Sequence, residues 1–77
     1  LGSEIYGLLF EPMTPFTTAA IDKSLQYLIQ NYEKRVRLQN IDIEPLYDLN
    51  TYNITIEFFI VGINQPQELE IKLERLR

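Results

Sequence analysis

Seventy-seven residues, 45% hydrophobic and 23% charged, suit one globular domain over residues 1–77 rather than a disordered chain. With neither cysteine nor histidine, the chain has no disulfide, no usual zinc ligand set and no Ser-His-Asp arrangement. A net charge of -4 argues against nucleic acid, whose binders cluster excess Lys and Arg, and the longest uncharged apolar run, 58–63, is far too short to cross a bilayer.

The first element is a short helix over Gly2 to Phe10, with Ile5, Leu8 and Leu9 on one side and Ser3 as a candidate N-cap. So short a helix is unstable alone and has to dock. The run "EPMTPF" then breaks it with Pro12 and Pro15.

The strongest periodicity follows in "TTAAIDKSLQYLIQNYEKR". Ile21, Leu25, Leu28, Ile29 and Tyr32 fall on one face of a long helix. Thr17 or Thr18 is expected to cap its start. Lys34 and Arg35 are expected in its last turn, where cations favour the carbonyl end of the dipole.

Alternation takes over in "RVRLQNIDIEP". Val36 and Leu38 run in one phase, and Ile41 and Ile43 run in the opposite one. Period-two side chains cannot change phase within a regular strand, so a bulge near Gln39 and Asn40 is predicted. Pro45 ends the strand or marks it as an edge. "LYDLN" reads as a turn through Asp48 and Asn50.

"TYNITIEFFIVGI" is the clearest strand. It has Tyr52, Ile54, Ile56, Phe58 and Ile60 on one face, and Phe59 with the polar residues on the other. "GINQP" is expected to turn the chain between Gly62 and Pro66. "QELEIKLERL" alternates again, with Leu69, Ile71 and Leu73 inward and Glu68, Glu70, Lys72 and Glu74 outward.

The predicted class is therefore α+β: two N-terminal helices, one short and one long, packed on a three-stranded antiparallel β-meander. Leu25, Leu28 and Ile29 are expected to meet Ile54, Ile56, Phe58, Leu69 and Ile71. Tyr6, Phe10, Tyr27, Tyr32, Tyr47 and Phe59 are read mainly as core or half-buried packing. One helical layer cannot cover both faces of the second strand, so Phe59 and Val61 need the first helix or a partner.

Four charges fill five positions at the helix-to-strand corner: Glu33, Lys34, Arg35 and Arg37. The bland reading is a solvated helix end. The functional reading is a docking site, in which Arg35 makes a bidentate contact to a partner carboxylate or terminal carbonyls and Glu33 orients it or takes a second bond.

"YGLLFEP", a helix ending in "YEKRVRL", then "IDI" and "YNITIEFFI", together resemble the baseplate wedge, or sheath-initiator, family of contractile phage tails, which has a type VI secretion counterpart. The resemblance spans nearly the whole chain. That family carries an extra N-terminal arm, and the opening at Leu1 rather than Met fits the absence of a native N-terminal segment here. Its hallmark, Glu-Pro-Arg before an apolar residue, falls on Glu33, Lys34, Arg35 and Val36, with Lys34 in place of the proline.

The resemblance implies a structural protein of the virion tail baseplate, assembled in the bacterial cytoplasm. Its charged corner would hold other baseplate wedge proteins. Its last strand, with Glu68, Glu70, Lys72 and Glu74, would pair with a strand of the tail sheath protein by β-augmentation. No cofactor, metal or small-molecule substrate is implied.

Two alternatives stand beside this. Family members also carry a lysozyme-related label. Glycoside hydrolysis uses two carboxylates about 5–9.5 Å apart. Glu11, Glu33, Glu44, Asp48 and Glu57 supply carboxylates, but no spacing marks a pair. A related fold also serves as an anti-adaptor that binds one protein partner.

Overall fold

The computed structural model describes residues 3–76. The element order is α1 (Ser3–Leu8), α2 (Pro15–Tyr32), β1 (Val36–Leu46), a 3-10 turn (Tyr47–Leu49), β2 (Thr51–Ile60) and β3 (Ile63–Glu74). Two helices, one of them long, precede a three-stranded antiparallel sheet in the order β1-β2-β3, an α+β fold of the predicted kind.

Helix α1 buries Ile5, and Leu9 follows it into the core. The expected start at Gly2 lies outside the described residues. Regular helix ends at Leu8, and single turns carry the chain on, with the Phe10 amide donating to the Gly7 carbonyl at 3.1 Å.

Helix α2 begins earlier than its apolar stripe suggests. Thr14 is the N-cap, not Thr17 or Thr18; its hydroxyl accepts from the Thr17 amide at 3.2 Å. Pro15 explains the choice. Proline at the first helical position sacrifices no needed N–H, and it drives the residue before it into the extended region a cap requires, here φ -128 and ψ 165. Thr17 lies buried inside the first turn and donates its hydroxyl to the Pro12 carbonyl at 2.7 Å. At the other end Glu33 is the C-cap, so Lys34 and Arg35 fall in the following turn rather than in the last helical turn.

The predicted bulge is present. Leu38 pairs with Phe58 and Asn40 with Glu57, leaving Gln39 as the extra residue, so Leu38, Ile41 and Ile43 all reach one face. There they join Tyr52, Ile54 and Ile56 of β2 under Ile21, Leu25 and Ile29 of α2. Pro45 sits in β1, an edge strand, where a missing N–H is tolerated. The 3-10 turn closes at Asn50, whose left-handed φ of 56 suits asparagine.

The second hairpin is tighter than predicted. Val61 and Gly62 make the turn, with Gly62 at φ 90 and Ile60 paired to Ile63. Pro66 therefore lies inside β3, not at the end of a turn. It belongs to a bulge in which Asn64, Gln65 and Pro66 lie against Phe59 alone. Beyond it, Gln67 to Glu74 pair with β2 without a break. After β3 the chain returns under the α1–α2 connection: the Leu76 amide donates to the Leu9 carbonyl at 2.6 Å, and Arg75 Nε to the Glu11 carbonyl at 3.1 Å.

The helical layer is offset from the sheet. Helix α2 packs on β1, and α1 packs on α2. One helix is about 10 Å wide and strands lie about 4.8 Å apart, so a single helix covers two strands rather than three. Three sequence readings fail, the first of them on this offset. Leu69 faces the core side, across from buried Ile56, yet stays 51% exposed. Leu28 does not pack on the sheet core; it lines a crevice of about 180 Å³ beside Ile5 of α1. Tyr6, Phe10, Tyr27, Tyr32 and Tyr47 are exposed rather than packed, and Phe59 alone of the six aromatics is half-buried.

Candidate functional site

The charged corner is a closed turn. Helix α2 ends with the Glu33 amide donating to the Ile29 carbonyl at 3.0 Å, and the Val36 amide turns back to the Glu33 carbonyl at 3.1 Å. Arg37 folds its Nη1 onto the Lys34 carbonyl at 3.1 Å. The Arg35 carbonyl accepts from the Val61 amide at 2.7 Å, which ties the corner to the β2–β3 turn.

Glu33, Lys34, Arg35 and Arg37 are all exposed. Their roles separate. Arg37 spends donors holding the corner shut, while among the described residues the Arg35 guanidinium has no hydrogen-bond partner. Among the described residues no hydrogen bond joins Glu33 to Arg35. Hydrogen bonds to the Glu33, Lys34 and Arg35 carbonyls fix the bend.

The sheet contributes a second surface. Strand register puts Arg37, Asn40, Asp42, Glu44 and Leu46 of β1 on the face away from the helices. They lie beside Thr51, Asn53, Thr55, Glu57 and Phe59 of β2. From β3 come Glu68, Glu70, Lys72 and Glu74. Both helices sit on the opposite face, so α1 does not cover Phe59, and Val61 lies exposed in the turn.

This bare face holds six carboxylates and two cations. Its surplus of four negative charges equals the net charge of the whole chain. Glu57 stands directly across from Glu68, a like-charge pairing that destabilises a sheet. Glu68, Glu70, Lys72 and Glu74 are exposed along a strand whose outer edge no other described strand pairs. The sequence singled out these four residues and the corner. It missed Asp42, Glu44 and Glu57 as their companions, because that grouping requires the cross-strand register.

The carboxylates weighed for hydrolysis are dispersed. Glu11 follows α1, Glu33 is at the corner, Asp48 is in the 3-10 turn, and Glu44 and Glu57 are on the bare face. A groove of about 400 Å³ between α2 and β1 does bring Asp22 and Asp42 to its lining. Asp42 is exposed, and Asp22 Oδ1 accepts from Gln26 Nε2 at 3.1 Å. A general acid for glycoside cleavage calls instead for a carboxyl in an apolar pocket. Among the described residues no three metal-ligating side chains converge, and no helix is long and apolar enough to cross a membrane.

The structure is that of a small α+β scaffold with one sheet face left bare and, among the described residues, an Arg35 guanidinium without a hydrogen-bond partner. Comparison with known proteins gives that class a more definite form. Over 74 residues the chain is 32% identical to the baseplate wedge protein gp25 of Enterobacteria phage T4. The match takes in 95% of this chain and 54% of the relative, so the chain spans about half the length of the curated relative it matches. The chain is thus a homologue of a phage baseplate wedge protein, and the match supports the family that the sequence resembles. No family model matches it.

Proposed function

We propose that the protein is a structural component of a contractile tail baseplate, resident in the virion tail and assembled in the bacterial cytoplasm. The observation that carries this reading is the identity with a baseplate wedge protein along almost the whole chain. Within that role the Glu33–Arg37 corner docks on other baseplate wedge proteins. Arg35 supplies the planar fork of donors that suits a partner carboxylate or a set of terminal carbonyls. The exposure of Arg35, and the hydrogen bonds that fix its backbone, support that assignment. The outer edge of β3 receives an extended strand of the tail sheath protein, with backbone hydrogen bonds giving attachment and alternate side chains setting register.

The test is Arg35→Ala, assayed by co-assembly with the other wedge proteins of the same tail and by electron microscopy of the resulting baseplates. Because the Arg35 side chain is exposed, the variant is expected to keep its fold and melting temperature and to drop out of wedges. Incorporation at the wild-type level would overturn the docking role. Sheath formation on baseplates that retain the protein reads the strand-addition role separately.

A further inference from the structure

The free border of β3 specifies the chemistry of what it can accept, and this inference rests on the strand-addition reading above. Between the Asn64–Pro66 bulge and the end of the sheet, eight residues, Gln67 to Glu74, pair with β2 without interruption. A strand added outside them alternates its side chains between the two sheet faces. On the helix side it meets Leu69, Ile71 and Leu73. Leu69 is half exposed because α2 lies over β1, while Ile71 and Leu73 pack against the core. On the bare side it meets Glu68, Glu70, Lys72 and Glu74, with Glu57 across from Glu68.

We infer that the β3 border selects an extended segment in which apolar residues alternate with lysine or arginine, with a neutral or acidic residue facing Lys72. Three observations converge on it. Leu69, at one end of the apolar row, lacks the cover that Ile71 and Leu73 receive from the core. The opposite row carries part of a four-charge negative surplus that the chain itself leaves uncompensated. Opposing Glu57 and Glu68 cost the free sheet stability, and a cation placed beside them relieves that cost. Lys72 breaks the acidic row at one position, so a partner shifted by one step along the pattern sets like charges against each other. The row therefore fixes register as well as identity.

The experiment uses the isotopically labelled chain and three short peptides in which valine alternates with lysine, serine or glutamate. Affinity is measured together with amide-exchange protection along Gln67–Glu74. The lysine peptide is expected to bind about tenfold more tightly than the serine peptide, a difference of about 1.4 kcal/mol. The glutamate peptide is expected not to bind. The lysine advantage should shrink at high salt and in Glu70→Lys, and should grow in Lys72→Glu. Protection of β1 and β2 amides checks that each variant stays folded. Equal protection of the β3 border by serine and lysine peptides overturns the charge selection and leaves strand addition standing. Binding of the lysine peptide with the β3 amides unprotected overturns strand addition as well, and binding by none of the three overturns both.

Discussion

Tyr52→Phe is expected to stabilise the protein. Tyr52 is 0% exposed, paired in register with Pro45 of β1 and Leu73 of β3, and its hydroxyl makes no hydrogen bond. A buried hydroxyl without a partner costs about 1–3 kcal/mol in protein mutational data. The substitution removes that oxygen and leaves the ring. The expected gain is ~1–3 kcal/mol at neutral pH. In a domain this size each kcal/mol raises the melting temperature by about 4–8 °C.

The pH dependence gives a second readout. Burial pushes the Tyr52 phenol above its ordinary 10, with Arg75 partly opposing and Tyr47 reinforcing the shift. The folded chain therefore holds this proton more tightly than the unfolded chain does. The stability tied to the neutral phenol is complete below about pH 10 and is lost as pH rises through the folded value. Phenylalanine has nothing to titrate, so the advantage of the variant should widen above about pH 10. Urea unfolding followed by far-ultraviolet circular dichroism, at neutral pH and again above pH 10, measures both effects. A variant less stable than wild type at neutral pH, or a gap that does not widen, would refute the reasoning by showing that the hydroxyl is engaged.

Two further substitutions test other parts of the frame. Thr14→Ala removes the side-chain acceptor for the Thr17 amide and should cost about 0.5–2 kcal/mol, read from the shift in urea midpoint, with Thr14→Ser close to wild type. Glu57→Gln removes the repulsion with Glu68 and should raise the stability of the isolated chain by about 0.2–1 kcal/mol, an increment that melting curves should show fading as salt is added.

What the sequence discloses follows from what periodicity encodes. The opposite phases of Val36/Leu38 and Ile41/Ile43 required an irregularity, and Gln39 supplies it. The alternation in 68–74 outweighed its helix-forming composition, and the segment is strand. Periodicity says which way a side chain points, but not whether anything lies above it. Leu69 points to the core side and Tyr32 falls on the apolar stripe of α2, yet both are exposed, Leu69 because α2 sits over β1. The cap lies at Thr14 rather than at the threonines nearest the apolar stripe, because Pro15 holds the residue before it in the extended region. At the candidate site, the exposure of the corner and of the last strand was readable residue by residue. The gathering of Asp42, Glu44 and Glu57 with them was not, since it depends on which residues of separate strands stand opposite one another.

The row of Glu68, Glu70 and Glu74 also bears on how the chain behaves toward its own duplicates. An uncapped β-border with apolar residues on one side is a template on which identical molecules can stack into aggregates. Two copies brought together in parallel register along this border would set Glu68, Glu70 and Glu74 against their own duplicates, a repulsion that weakens such stacking.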